Sequence, residues 1–300
     1  VLLFAPRWPL LLPLLVLLPL SVRRKKLSWL PLLTALFICG PLLGVGLPWR
    51  KVISKAPAGQ PIRILFCNVH REELNRPAFD AYLLEVKPQV VLLQDYRSVD
   101  TTPVLRDPLW HKYRIGEIFI ASQFPITHVH DLHLERIAGD DDKEVPRRFG
   151  TAASFDLQTP GGTLRVVNLH LTSPHGGLRA LAHKPSKGIR RLETNSVRRQ
   201  NESQQITDWL STQSGPFVVA GDFNTPSESP IFRYFWSRYP DAFSVAGFGL
   251  GFTHLSPFSE LRIDHLLTGP EVTCTDYRVG PPCGTPHRPI LADLILHPGS

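Results

Sequence analysis

Phe217-Val218-Val219-Ala220-Gly221-Asp222-Phe223-Asn224 is the stretch on which the reading of this chain turns. Its apolar, β-branched run predicts a strand over 217–222, and Gly-Asp-Phe-Asn ends that strand in a turn. A carboxylate and an amide therefore stand at a strand end, where layered folds collect their active sites.

Working outward, the same arrangement recurs. Ile62-Arg63-Ile64-Leu65-Phe66-Cys67-Asn68 ends on an amide, and Pro88-Gln89-Val90-Val91-Leu92-Leu93-Gln94-Asp95 ends on a carboxylate. Val166-Val167-Asn168-Leu169-His170-Leu171 alternates, so Asn168 and His170 share one sheet face while Val167, Leu169 and Leu171 share the other. Arg262-Ile263-Asp264-His265 sets a carboxylate at the edge of another strand, and Pro286-His287-Arg288-Pro289 precedes the last one. Any one strand-end Asn, Asp or His is usually a turn or cap residue. Six in one chain are harder to dismiss.

The β-rich runs 62–67, 89–94, 117–122, 151–157, 163–171, 217–222, 262–267 and 290–296 read as strands, and 76–87 and 189–210 as helices. Thr159-Pro160-Gly161-Gly162 reads as a hairpin connection. This mixture predicts a layered α/β or α+β domain over 62–300. The region 174–199 carries Arg179, Lys184, Lys187, Arg190, Arg191, Arg198 and Arg199 against the single acid Glu193. Two readings stay open for it: a lid over an anionic substrate, or a solvated helix face. Asp140, Asp141 and Asp142 read as solvated surface.

Charge is unevenly spread. The formal net charge is +7, but residues 1–59 hold eight basic residues and no acid, leaving 25 basic against 26 acidic residues for 60–300. The excess belongs to the N-terminal segment and is no nucleic-acid footprint on the folded domain. Four cysteines make neither a disulfide framework nor a zinc motif. Cys274 and Cys283 are spaced to bridge across a short loop in an oxidising compartment.

Two apolar runs, about 8–22 and Leu27–Leu47, flank Arg23-Arg24-Lys25-Lys26. A membrane span needs ~20 apolar residues, and a single signal peptide fits the long second run less well than a hairpin does. A transmembrane helical hairpin is therefore expected over 1–53, with a linker at 54–61. The positive-inside rule puts the basic knot on the cytoplasmic side and the domain outside the cytoplasm. Trp8, Trp29 and Trp49 would be its interfacial anchors. Val1 opens a chain without Met, so further sequence upstream is expected.

In their order, Asn68, Leu93-Gln94-Asp95, Asn168-Leu169-His170, Gly221-Asp222-Phe223-Asn224, Ile263-Asp264-His265 and His287-Arg288-Pro289 resemble the endonuclease/exonuclease/phosphatase superfamily across about 62–296. The resemblance implies a four-layer α/β sandwich, two face-to-face β-sheets flanked by helices, with the site at one sheet edge. It implies a Mg2+- or Mn2+-dependent hydrolysis of a phosphodiester or phosphomonoester. Asn68 and Asp95 would be the metal ligands, and their oxygens suit a hard cation. His287, oriented by Asp264, would be general base or phosphate stabiliser. Asp222 would position the attacking water, and Asn224 would orient Asp222 or phosphate. His170 would hold developing phosphorane charge, and Asn168 would be structural. His170 and Asn224 thus double as substrate contacts. Two departures stand out: the family usually has Glu where this chain has Asp95, and Ser-Asp-His where it has Thr285-Pro286-His287.

Partners follow from that reading: a phosphate-ester substrate, lipid or nucleic acid among the options, and a membrane through residues 1–50. A membrane-anchored nuclease and a catalytically impaired binding member of the family are the alternative functions.

Overall fold

In the computed structural model the apolar strands assemble into two mixed sheets packed face to face. The structure describes residues 4–5, 8–48, 58–70, 73–97, 102–135, 150–256 and 259–297. Asp140, Asp141, Asp142, Trp49 and residues 54–57 of the expected linker lie outside the described residues.

One sheet has six strands in the order β12 (Val272–Val279), β13 (Ile290–Leu296), β1 (Gln60–Asn68), β2 (Val90–Gln94), β4 (Ile118–Ser122) and β3 (His111–Ile115). The other has five, ordered β11 (Asp264–Thr268), β8 (Phe217–Asp222), β7 (Gly162–His170), β6 (Thr151–Thr159) and β5 (Ile126–Asp131). A separate hairpin pairs β9 (His254–Ser256) with β10 (Ser259–Leu261). Pairing is parallel at β1–β2 and β7–β8 and antiparallel elsewhere.

The helices are α1 (Leu12–Arg23), α2 (Trp29–Phe37), α3 (Arg76–Val86), α4 (His175–His183), α5 (Pro185–Ser211), α6 (Pro230–Phe235) and α7 (Ala242–Ala246). Asn75 caps α3 by accepting the Ala78 N–H at 3.2 Å, satisfying one of its orphan donors.

Three cores separate the layers. Ile64, Phe66, Leu92 and Ile120 of one sheet meet Phe155, Val166, Val218 and Leu266 of the other. Leu65, Cys67, Val91 and Leu93 face Phe79 and Leu83 of α3. Val167, Leu169 and Val219 face Ile206 and Leu210 of α5. The central strands are buried on both faces, which is why they read as nearly continuous apolar runs. This is a helix–sheet–sheet–helix sandwich, as expected.

The strands β3, β5, β9, β10 and β12 were not foreseen. β3 and β5 are sheet edges; β3 reads His-Lys-Tyr-Arg-Ile and is almost wholly exposed, so it lacks the apolar signal. The region 174–199 is helical: α4 covers most of its first half, and α5 starts at Pro185, four residues before the helix expected over 189–210. Cys274 and Cys283 are free thiols, as are Cys39 and Cys67.

The N-terminal segment departs most from expectation. Its helices α1 and α2 run for 12 and 9 residues, and among the described residues no helix is long and apolar enough to cross a membrane. The second apolar run breaks after Phe37 into a π-helical turn, Ile38–Leu42, containing Gly40 and Pro41. Gly44 then turns at φ +66°. Prolines and glycines thus divide a run that is long enough in sequence but not as a helix. The transmembrane hairpin over 1–53 and the extracytoplasmic membrane localisation are corrected accordingly.

Candidate active site

Register brings the strand-end residues together. In the parallel β1–β2 pair Asn68 lies beside Gln94, with Asp95 next along. In β7–β8 His170 lies beside Asp222, and antiparallel β11 sets Asp264 on the other side of Asp222. The close approach of β7 to β8 requires glycine at 221: a Cβ there would lie 2.0 Å from the Leu169 carbonyl oxygen, and its φ is +140°. Asp95 and Asn224 turn the chain at φ 47° and 50°, a left-handed conformation that Asp and Asn tolerate.

Asp222 is the hub. Its Oδ1 accepts the Asn224 N–H at 2.8 Å and its Oδ2 accepts from Asn68 Nδ2 at 2.8 Å. Two imidazoles flank it, with His170 Nε2 at 3.7 Å and His287 Nε2 at 3.8 Å from Oδ2. Each ring is held from behind at Nδ1: His170 by Glu117 Oε1 at 2.6 Å, His287 by Asp264 Oδ2 at 3.0 Å. Thr253 Oγ1 donates to Asp264 at 2.6 Å. Thr285 Oγ1 accepts the His287 N–H at 2.9 Å and donates to the Asn68 carbonyl.

These groups are buried, so neighbouring charge decides their ionisation. Burial opposes a charge on His170, but the Glu117 hydrogen bond and the charge of Asp222 raise its pKa to about 9. Burial likewise disfavours a charged His287, yet Asp264 and Asp222 raise it. Burial and the charge of Asp264 push the Asp222 carboxyl up. For Asp264 burial is outweighed by the charge and hydrogen bond of His287 and by Thr253, and its pKa falls.

Asn68 and Asp95 fit a hard divalent cation. Asn68 Oδ1 is identified as the oxygen because it accepts the His70 N–H at 2.9 Å while the amide nitrogen donates to Asp222, and an amide oxygen has a second lone pair. Asp95 is buried, with Arg97 Nε 3.4 Å from its Oδ1. Both donors are oxygens, as Mg2+ or Mn2+ prefers. Asp222, Asp264 and His287 also bring ligand atoms within 4.8 Å of one another. Asp222 already accepts from Asn68 and Asn224, and Asp264 already holds His287 Nδ1.

The strand-end residues proposed for the site reach this edge of the sheets. Asn224 acts on Asp222 through its backbone N–H; its side-chain Nδ2 donates to the Leu171 carbonyl at 2.8 Å. Asn168 ties the sheets together, accepting from Gln94 Nε2 at 2.6 Å and donating to the Leu93 and Phe119 carbonyls. Glu117 was missed: it was read as the first residue of the strand 117–122, and a lone acid at a strand start carries no functional signal. Thr253 and His254, whose ring centroid lies 4.7 Å from that of His287, gave no signal either.

Two carboxylate-backed imidazoles thus stand around one buried aspartate at the edge of the two-sheet sandwich. The family model described as Endonuclease/Exonuclease/phosphatase family matches residues 65–287, and the chain belongs to that family, whose members are hydrolases of phosphoester bonds. Enzymes of the family typically use divalent metals.

Among solved structures the chain is similar to an endonuclease/exonuclease/phosphatase from Beutenbergia cavernae, with TM-score 0.57, 15% identity, and 79% of this chain and 72% of that one covered. The 3'-5' exonuclease NExo from Neisseria meningitidis gives TM-score 0.54 at 19% identity, covering 77% and 98%. D. rerio TDP2, complexed with single-strand DNA product, gives 0.55 at 15%, covering 78% and 99%. At such identities the likeness shows the fold. No curated protein matches the chain.

Proposed function

We propose that the protein is a Mg2+- or Mn2+-dependent phosphoesterase that hydrolyses a phosphodiester or phosphomonoester by attack of an activated water. The observation that carries this reading is the convergence of two carboxylate-backed imidazoles on Asp222 Oδ2, at 3.7 and 3.8 Å.

A phosphate ester repels an anionic nucleophile, so hydrolysis needs cationic donors at the phosphoryl oxygens and a base beside the water. Asp222, its pKa raised by burial and by Asp264, takes the proton of the attacking water. Asn68 Nδ2 and the Asn224 N–H keep its carboxylate oriented. His170, held charged by Glu117, donates from Nε2 to a phosphoryl oxygen, and His287, held by Asp264, does so from the other side. Asn68 and Asp95 would hold the divalent cation, which would supply further neutralisation of phosphoryl charge.

The test is turnover of a chromogenic phosphodiester with Mg2+ or Mn2+. Asp222→Asn should cut kcat by roughly 10²-fold or more, the usual scale for a group in acid–base work, with the melting temperature little changed. Retained turnover with lost stability would make Asp222 a structural residue and sink the mechanism.

A nuclease is the second reading. It is supported by exposed Arg179 on α4, Lys184 between the helices and Arg190 on α5, the helices that follow β7. DNA binding that weakens steeply with salt would favour it; salt-independent turnover of small esters would favour the first.

A further inference from the structure

Helix α5 aims three side chains at the segment that follows β7. Asn195, Arg199 and Glu202 are spaced i, i+4, i+7, so they share one helix face, and all three are buried. Asn195 Nδ2 donates to the Ser173 carbonyl at 2.9 Å, and Arg199 Nη1 donates to the Thr172 carbonyl at 2.9 Å. Glu202 accepts the Thr172 N–H at 2.8 Å, the Thr172 hydroxyl at 2.5 Å and the Gly150 N–H at 2.8 Å.

The other side of the segment is tied to the active-site turn. The Leu171 N–H donates to the Asp222 carbonyl at 2.9 Å, and Asn224 Nδ2 donates to the Leu171 carbonyl at 2.8 Å. Every main-chain donor and acceptor of Leu171 and Thr172 is therefore held, Leu171 by the Asp222–Asn224 turn and Thr172 by α5. Position 150 is part of the device: a Cβ there would meet the Glu202 carboxyl carbon at 2.8 Å, so a larger residue would push the carboxylate out of its place.

Burying a guanidinium and a carboxylate is costly, and apolar packing would hold a merely structural strap more cheaply. The cost shows at Arg199, whose pKa burial lowers to about 10 despite the charge of Glu202. What the charged pair adds over apolar packing is direction: hydrogen bonds fix the peptide planes of the residues that link His170 to Asp222. We propose that Asn195, Arg199 and Glu202 are positioning residues that hold the 171–173 backbone and, through it, the spacing between His170 and Asp222. None touches the reacting atoms.

The kinetic arm of the test rests on the phosphoesterase reading; the other arm does not. In the full chain, Glu202→Gln keeps the shape of the side chain but loses one acceptor. Amide hydrogen exchange should speed up about tenfold at both Thr172 and Leu171, with Phe155 on β6 unchanged. kcat should fall roughly tenfold, as small misplacements do, with KM within about twofold. That fall should vanish in a His170→Ala background. Arg199→Lys and Gly150→Ala should reproduce the pattern, and they carry the test if Glu202→Gln does not fold. Additive loss in the His170→Ala background, or faster exchange confined to Thr172, would overturn the proposal. A wild-type protein without phosphoester turnover but with the expected exchange pattern would overturn the functional reading and leave the positioning role supported.

Discussion

His287 Nδ1 lies 3.0 and 3.1 Å from the two carboxylate oxygens of Asp264, so the imidazole is held although proline precedes it. Pro286 offers no side-chain oxygen, and its carbonyl accepts the Leu255 N–H at 2.9 Å, a bond that any residue there would keep. The departure from the family's usual Ser-Asp-His thus removes a carboxylate without loosening the ring. Pro286→Asp should leave kcat/KM unchanged within about threefold or raise it, whereas His287→Ala should abolish turnover. A large loss in Pro286→Asp would show that the proline is needed to aim His287.

Glu117 makes the alkaline limit of the enzyme. With His170 raised to about 9 by the Glu117 hydrogen bond and Asp222 against burial, its charged form persists through neutral pH. Glu117→Gln should move the basic limb of the kcat profile down by roughly 1–2 pH units. The same shift feeds stability: a raised folded-state value gives a contribution complete below pH 6.5 and lost as pH rises through about 9. Urea midpoints of the wild type should therefore fall across that window, and those of Glu117→Gln should fall less. Superimposable pH profiles would remove Glu117 from the site.

Asn168 gives the opposite contrast. Its three hydrogen bonds join β7 to β2 and β4 across the sandwich, and it lies away from Asp222's carboxylate contacts. Asn168→Ala strands buried partners and should cost about 2–4 kcal/mol, read as a lower urea midpoint, with kcat per folded molecule within about threefold. A loss of kcat without a loss of stability would assign it to the chemistry instead.

His265 contributes to the acid limit of stability, together with His254, Asp241 and Asp264. It is fully buried against Phe223 and Phe232, with Nε2 2.9 Å from the Thr225 carbonyl. Burial and the charge of Arg262 lower its pKa to about 4. The fold therefore prefers the neutral ring: stability is full above pH 6.5 and is lost as pH falls from there towards 4, where the unfolded chain binds the proton first. Removing the ring as His265→Gln should flatten this acid slope by up to roughly 3 kcal/mol. An unchanged slope in equilibrium unfolding would contradict the assignment.

Asn68, Asp95, His170 and Asp222 were legible from the chain because each closes an apolar β-rich run, and Asp264 because it stands at the start of one. Alternation in 166–171 put His170 and Asn168 on one face, and the structure puts that face between the sheets, with Val167 and Leu169 packed against helix α5. The edge strand β3 was not legible, because an edge exposes polar side chains and carries no apolar period. The apolar run at 27–47 shows the same limit from the other side. Hydropathy sums residues and ignores that Gly40, Pro41 and Gly44 interrupt the helix on which a span depends.

By itself, then, the sequence determined the layered fold and the strand ends that carry the chemistry, since burial period and turn residues are local properties of the chain. Only the tertiary structure decided that Glu117 stands behind His170, that Thr253 supports Asp264, and that Asn195, Arg199 and Glu202 grip the segment after β7. Those pairings span from 11 residues, between Thr253 and Asp264, to 53, between Glu117 and His170. Which distant polar groups meet is set by sheet register and by the packing of α5, and neither is written in any local pattern.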